Sequence, residues 1–177
     1  VQNCFSYHLT PAGMMFESGA KAVGAVSFPA GTGQTELQAQ AAAQLAVTAY
    51  AGTPDYLKII LDKGEELGLD LSKITRAAVG GGALFPSLRA EYADRGIACL
   101  QCYATADLGN IAYESDAMEG MIVDEGVIVE IVTPGTGNPV AEGEVGEVVV
   151  TTLNRDSPLI RFATGDLSAV FSGISPW

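Results

Sequence analysis

Short apolar segments alternate with helical patterns over the first hundred residues, and this alternation constrains the fold more than any other feature. Segments of strand length occupy residues 25–28, 47–51, 74–79 and 97–103. Helical patterns lie between them at residues 37–46, 54–67 and 86–95. Because strands and helices alternate through short connections, the sequence predicts a mainly parallel sheet flanked by helices, an α/β fold.

The character of the sequence changes after about Tyr113. Three β-rich segments follow at residues 121–123, 127–132 and 147–153, separated by turns rich in Gly and Pro. Such turns between short strands favour antiparallel hairpins. We therefore predict an α/β subdomain over 1–112 and an antiparallel β-rich subdomain over 113–177.

Composition excludes several classes of function. Nine Lys and Arg against 21 Asp and Glu give a net charge of −12, which opposes binding to a nucleic-acid backbone. No apolar run approaches the roughly 20 residues that span a membrane. Three cysteines and one histidine in 177 residues favour reduced thiols in the cytoplasm and argue against a multi-histidine metal site. With neither a signal peptide nor an initiator Met, the chain is expected to begin within a longer protein.

Three loops follow predicted strands, where ligands bind in parallel α/β sheets: 30–35, 80–85 and 103–109. Gly80, Gly81 and Gly82 would let a flat ligand or a phosphate approach the backbone, although for a lone Gly triplet a tight strand-to-helix turn is the favoured explanation. The loop 30–35 lacks the ending of a phosphate-binding P-loop and a third Gly at dinucleotide-site spacing. We interpret it as a helix-capping turn lining a pocket wall, with Thr35 as the cap and Gln38, three residues later, as its capping-box partner.

The loop 103–109 combines an aromatic ring at Tyr103, a hydroxyl at Thr105 and a carboxylate at Asp107. These groups could stack on a base, bond a phosphate oxygen and hold Mg²⁺. The alternative is a helix N-terminus capped by Thr105. Asp166 ends a strand in a Gly-Asp pair that could accept from both hydroxyls of a ribose, or form only a turn.

Other chemistry-bearing residues give weaker signals. His8 lacks a G-x-S-x-G partner elbow, so a hydrolase is disfavoured and a pocket-wall or core histidine is favoured. Cys99 and Cys102 are three apart on a predicted strand and would point to opposite faces. We interpret both as buried residues and not as redox or metal ligands.

Taken in order, these loops resemble the adenylate-forming ligase superfamily, within it the phenylacetate–CoA ligase and coenzyme F390 synthetase group. The most specific motifs are Arg-Phe-x-Thr-Gly-Asp at 161–166 and Glu-x-Gly-Glu at 144–147. Further matching stretches are residues 2–7, 28–36, 81–83, 103–107, 127–132, 151–153 and 158–167. The resemblance covers essentially the whole chain and implies the central part of that family's N-terminal domain, a partial ligase fold.

The resemblance also implies roles in binding the nucleotide. The adenine and ribose–phosphate site would be lined by Gly81, Gly82, Ala83 and Ala104. In the same site Tyr103 would stack on adenine.

Asp166 would hold the ribose hydroxyls, again by resemblance. Thr105 would lie near the α-phosphate and the carboxylate substrate as a catalytic residue. Phe5 and Tyr7 would wall a pocket for an aromatic acyl group.

Two departures from the family's Tyr-Gly-x-Ser/Thr-Glu pattern bear on activity. The hydroxyl position is Ala106, for which the neighbouring Thr105 could substitute. Asp107 replaces the Mg²⁺-binding Glu and is one methylene shorter. The segment 114–122 has no Cys or His, so the zinc site of some members is not expected.

By resemblance, the complete protein is an AMP-forming acid–CoA ligase of phenylacetate catabolism. It would use ATP, Mg²⁺ and coenzyme A on a phenylacetate-like carboxylic acid, with a homodimer compatible with the family. The phosphate-gripping loop and the C-terminal domain with its lysine would lie outside this chain, which should be inactive alone. Two alternatives remain: an adenylating enzyme with a non-CoA acceptor, and a catalytically impaired nucleotide-binding relative.

Overall fold

The computed structural model describes residues 1–171, which divide into two compact units at Gln101 and Cys102. The predicted subdomain boundary at 112–113 was placed by a change in sequence character, whereas this division reflects compactness. The predicted boundary therefore stays a prediction. The last six residues of the predicted second subdomain lie outside the described part. Among residues 1–171, no helix has the length and apolar character needed to cross a membrane.

The first unit contains a parallel sheet with helical connections, as predicted. Its strands, in spatial order, are β2 (Phe28–Pro29), β1 (Gln2–Asn3), β3 (Ala49–Gly52), β4 (Arg76–Val79) and the beginning of β5 (Ala98–Thr105). All four pairings are parallel. The helices are α1 (Ala12–Ala22), α2 (Thr35–Gln44), α3 (Pro54–Glu66) and α4 (Pro86–Asp94).

The second unit is antiparallel, also as predicted. The end of β5 pairs with β6 (Gly109–Tyr113), and β6 pairs with β7 (Ile122–Val123). A separate sheet has β9 (Gly146–Thr152) between β8 (Val127–Val132) and β10 (Phe162–Ser168). The hydrophobic core of the second unit contains Leu108, Ile111, Val127, Val148 and Val150.

Helix α3 shows how the sequence specifies the first unit. It begins at Pro54 after an N-cap at Thr53 and ends before Gly68, which adopts a left-handed φ of +65°. Leu57 and Ile60 are fully buried because their helical spacing places them on the face toward the sheet. The fully buried Tyr92 of α4 donates its hydroxyl hydrogen to the Pro54 carbonyl, which joins the two helices.

The N-terminus of α2 differs from the expectation. The helix begins at Thr35, and the N-cap is Gln34 in a left-handed conformation with φ +54°, so Thr35 is not the cap. Gln38, predicted as a capping partner, is buried instead. Its side-chain nitrogen donates to the carbonyls of Gly31 at 2.8 Å and Gly33 at 3.0 Å, and its oxygen accepts from Gln2 at 2.7 Å.

Gly52 ends β3 at a position where no side chain fits. A Cβ there would collide with the Tyr50 phenol and lie 3.1 Å from the Cys4 Cβ. Tyr50 cannot easily move aside, because it is buried and its hydroxyl donates to the Thr53 carbonyl at 2.9 Å. The close approach of chain segments at this edge therefore requires Gly.

We expect Gly52→Ala to lower the free energy of unfolding by about 2–3 kcal/mol through overpacking. The matched control is Gly19→Ala in exposed α1, where nothing lies within 4 Å of an added Cβ. That change should instead raise stability by about 0.5–1 kcal/mol, because Gly costs backbone entropy in a helix. Urea unfolding of both variants measures this, and equal effects would contradict the packing argument.

We expect Gln38→Ala to cost about 2–3 kcal/mol, because it removes the side-chain hydrogen bonds to the buried Gln2 amide and to the carbonyls of Gly31 and Gly33. Gln44→Ala, at the exposed end of the same helix, should change stability by less than about 0.5 kcal/mol. Chemical denaturation gives both values. A Gln38→Ala variant as stable as the Gln44→Ala control would show that the hydrogen bonds contribute little.

Candidate functional site

The carboxyl edge of the first unit's sheet gathers two of the predicted loops, 30–35 after β2 and 80–85 after β4, together with the segment that follows β1. Parallel pairing forces this, because all these strands end at the same edge. Gly81 has a left-handed φ of +71°. A Cβ at Gly82 would lie 3.6 Å from Pro54, so the loop packs against the start of α3. Gly81, Gly82 and Ala83 are all exposed, which leaves their backbone open to a ligand.

The loop 30–34 is rigidly held at the same edge. Gly33 receives hydrogen bonds at its carbonyl from Gln38 at 3.0 Å and from the Tyr56 hydroxyl at 2.6 Å. Gly31 and Gly33 adopt left-handed φ values of +67° and +75°, which Gly tolerates without strain. The sequence did not predict Gln38 as an anchor, and the available signal was an amide between Leu37 and Ala39 in α2.

Phe5 and Tyr7, the predicted walls of an acyl pocket, occupy different environments. Phe5 is buried and stacks on Phe16 with ring centroids 4.2 Å apart. Tyr7 is half-buried and accepts a hydrogen bond from Asn3 Nδ2 at 2.9 Å. Burial, followed by a hydrogen bond to Glu17, raises the Tyr7 pKa, so its phenol stays neutral at physiological pH. Their contact with an acyl group stays a prediction.

The segment 103–109 is a β-hairpin, which was not predicted. Tyr103 and Thr105 lie in β5, and the chain returns at once in β6, with Thr105 opposite Gly109. The alternative of a helix N-terminus at Thr105 is therefore wrong, because antiparallel pairing takes up the backbone groups. The Thr105 hydroxyl accepts a hydrogen bond from the Leu108 N–H at 3.1 Å, which leaves its own hydrogen free to donate.

Tyr103 and Asp166 meet within the second unit, although they are 63 positions apart. The Tyr103 hydroxyl donates to Asp166 Oδ2 at 2.5 Å. The Tyr103 ring is half-buried against the core of this unit. Burial, and then the hydrogen bond to the Asp166 carboxylate, raise the pKa of Tyr103 to about 12, so the phenol remains a donor at neutral pH.

A bulge in β10 presents Asp166. From Ala163 to Leu167 the strand advances four residues, while the partner strand advances two, from Val149 to Glu147. Thr164 stabilises the bulge: its hydroxyl donates to the Val148 carbonyl at 2.9 Å and accepts from the Asp166 N–H at 3.2 Å. Gly165 has a φ of +79° there. The Thr-x-Asp spacing of a side-chain turn was the signal for Thr164, which the sequence interpretation missed.

Asp107 lies on the exposed turn of the hairpin, beside Asn110 and Asp124 on a cavity of about 260 Å³. Asp124 is already bonded to Asn110 Nδ2 at 3.0 Å and to the Gly126 N–H at 2.8 Å. In the described residues, no three His, Cys, Asp or Glu side chains form a metal-binding group. An exposed carboxylate alone still suits Mg²⁺ that is bound chiefly by substrate phosphates and water.

The remaining candidates have ordinary surroundings. His8 is exposed, so the expectation of a core histidine is wrong, and the pocket-wall alternative stays a prediction. Cys99 is buried and Cys102 half-buried, and neither takes part in a disulfide within residues 1–171. Burial raises the Cys102 pKa and makes that thiol a poor nucleophile.

Comparison with known proteins bears on this arrangement. The family described as AMP-binding enzyme matches residues 5–154. Phenylacetate-coenzyme A ligase of Escherichia coli is 33% identical across 96% of this chain, which covers 41% of that protein. The protein of the same name from Thermus thermophilus is 26% identical across 95% of this chain, and the match covers 40% of the Thermus protein. The chain thus spans about two-fifths of the length of these relatives.

Solved structures show the same fold. The chain superposes on a 2-hydroxyisobutyryl-CoA ligase, crystallised with 2-HIB-AMP and CoA, with a TM-score of 0.86 at 21% identity. This match covers 95% of the chain and 39% of that protein. An anthranilate CoA ligase bound to anthranoyl-AMP gives a TM-score of 0.65 at 16% identity, covering 84% of the chain and 32% of that protein. Since the family match extends over most of the sequence, the chain belongs to the AMP-binding enzyme family.

Proposed function

We propose that the complete protein is an AMP-forming acid–CoA ligase that activates an aromatic carboxylic acid of the phenylacetate type. The observation that carries this proposal is the pair formed by Tyr103 and Asp166. An aromatic ring and a carboxylate joined in one unit suit a base and the hydroxyls of its ribose. The names of the relatives support the acid and the CoA acceptor.

The proposed reaction has two steps. A carboxylate oxygen of the acid attacks the α-phosphorus of ATP, the bond to the β-phosphate oxygen breaks, and pyrophosphate leaves. The CoA thiolate then attacks the acyl carbon, and AMP leaves with the electron pair of the broken C–O bond. In both steps the protein's main contribution is to position the reactants and stabilise developing charge.

Residues of this chain have distinct proposed roles in the first step. Tyr103 stacks on adenine and Asp166 accepts from the ribose hydroxyls. Thr105 donates its free hydroxyl hydrogen to an α-phosphate oxygen, a role the structure permits because the hydroxyl oxygen, not the hydrogen, is used by Leu108. Gly81 and Gly82 have exposed backbone of a kind that suits a nucleotide phosphate.

Asp107 is the residue that would hold Mg²⁺. Its carboxylate is exposed on the hairpin turn, and Mg²⁺ commonly uses one or two carboxylates together with substrate phosphates. When bound, the ion would neutralise phosphate charge as pyrophosphate departs.

A second candidate function is nucleotide binding without catalysis. Ala106 stands at the family's hydroxyl position and Asp107 is shorter than Glu, and both changes weaken the site for the α-phosphate and Mg²⁺. A third candidate function is that of an adenylating enzyme whose acceptor is an amine or a carrier-protein thiol. The proposed role of Thr105 favours a working enzyme, because its hydroxyl hydrogen is available.

The first prediction concerns the reaction itself. With Mg²⁺, ATP and phenylacetate, the complete gene product should release pyrophosphate, and added CoA should yield the thioester. The 177-residue chain alone should release none. An enzyme-coupled pyrophosphate assay measures both proteins. No release by the complete protein across a panel of aryl and fatty acids would overturn the ligase proposal and favour the nucleotide-binding relative.

The second prediction concerns Thr105. In the complete protein, Thr105→Val should lower kcat for adenylation by roughly 10- to 100-fold, because it removes one donor to the transition state. Thr105→Ser should retain most activity. Thr136→Val removes a turn hydroxyl of the second unit and serves as the control. ATP–pyrophosphate exchange gives the rates, and a Thr105→Val variant as active as this control would exclude the proposed role.

A further inference from the structure

The Tyr103 hydroxyl has no role in stacking, since a phenyl ring stacks on a base as a phenol does. Yet it is the group that reaches across to β10 and bonds Asp166 Oδ2 at 2.5 Å. The phenol therefore contributes something that the ring alone does not. The candidate effect is on the carboxylate that receives its hydrogen.

The Asp166 carboxylate is exposed, and an exposed Asp can rotate about its side-chain bonds. The backbone of Asp166 is fixed by the Thr164 hydroxyl at 3.2 Å, but that bond does not orient the carboxylate plane. Within residues 1–171 the Tyr103 hydroxyl is the donor that bonds this carboxylate. The hydrogen bond thus selects one orientation of the group.

The bonded carboxylate retains enough acceptor sites for a ribose diol. Two carboxylate oxygens offer about four lone-pair positions, and Tyr103 uses one of them on Oδ2. Oδ1 receives no hydrogen bond from the described residues. Both hydroxyls of a ribose could therefore be accepted while the phenol keeps the group in place.

We propose that Tyr103 is a positioning residue for ribose recognition: its hydroxyl orients the Asp166 carboxylate to accept the 2′- and 3′-hydroxyls of the nucleotide. The inference rests on the proposed function, because it requires an adenine nucleotide at this site. It assigns Tyr103 two separable contributions, one from the ring to the base and one from the hydroxyl to the sugar.

The experiment compares AMP with 2′,3′-dideoxyadenosine monophosphate by isothermal titration calorimetry on the complete protein. Tyr103→Phe keeps the ring and removes the hydroxyl. It should weaken AMP binding about 5- to 10-fold, the loss expected for one charge-assisted hydrogen bond that preorganises a site. Binding of the dideoxy nucleotide should change less than about twofold, because it lacks the hydroxyls that Asp166 accepts.

Two further variants make the assignment sharper. In an Asp166→Ala background, Tyr103→Phe should have no additional effect on AMP, since the group it orients is gone. Tyr113→Phe removes a phenol hydroxyl from the neighbouring strand β6 and should bind both nucleotides like the unmodified protein. Thermal unfolding of each variant identifies any loss caused by misfolding.

The possible results separate the two proposals. Failure of the unmodified protein to bind AMP would overturn the proposed function and this inference with it. A second result would overturn the inference alone: the unmodified protein binds AMP, but Tyr103→Phe weakens the binding of both nucleotides equally. The hydroxyl would then act on the base or the fold. Unchanged binding of both nucleotides by Tyr103→Phe would overturn it as well.

Discussion

Parallel pairing of β1, β2, β3 and β4 is the constraint on which the first unit depends. Parallel strands cannot be joined by a tight hairpin, so each connection must return the chain to the opposite edge of the sheet before the next strand begins. Here a helix makes each of these crossover connections. Every strand then ends at the same edge, which brings the loops after Asn3, Pro29 and Val79 to one side of the sheet. Rigidity at this edge comes from buried polar groups, since Gln38 holds the loop 30–34 through its carbonyls.

Antiparallel pairing has the opposite effect in the second unit. It returns the chain immediately after Thr105, which places Asp107 on a tight turn and Tyr103 in a strand. A bulge in β10 then moves Asp166 out of the regular ladder, to the hydroxyl of Tyr103. Two residues far apart in sequence thus form one polar pair, and the cost of disrupting the ladder is offset by the hydrogen bonds of Thr164.

Close approach of backbone segments explains why small residues are required at certain positions. At Gly52 an added Cβ would meet the buried Tyr50, and at Gly146 it would lie 2.9 Å from the Ile131 Cγ2. Both glycines lie at strand ends, where a neighbouring element packs over the backbone. The left-handed φ of Gly81 meets a different requirement, because there the constraint is conformation and not space.

Local pattern determined the elements of this protein: the strand–helix alternation, the start of α3 at Pro54 and its end before Gly68 follow from residue spacing, capping and backbone preference. It also indicated Tyr103, Thr105 and Asp166 as chemistry-bearing residues, and the resemblance of their motifs indicated the family. Only the tertiary structure decided that Gln38 is a buried anchor, that 103–109 is a hairpin and that the Tyr103 hydroxyl bonds Asp166. The physical reason is that spacing along the chain encodes local geometry, whereas a hydrogen bond across 63 positions depends on strand pairing and on a bulge that no local pattern specifies.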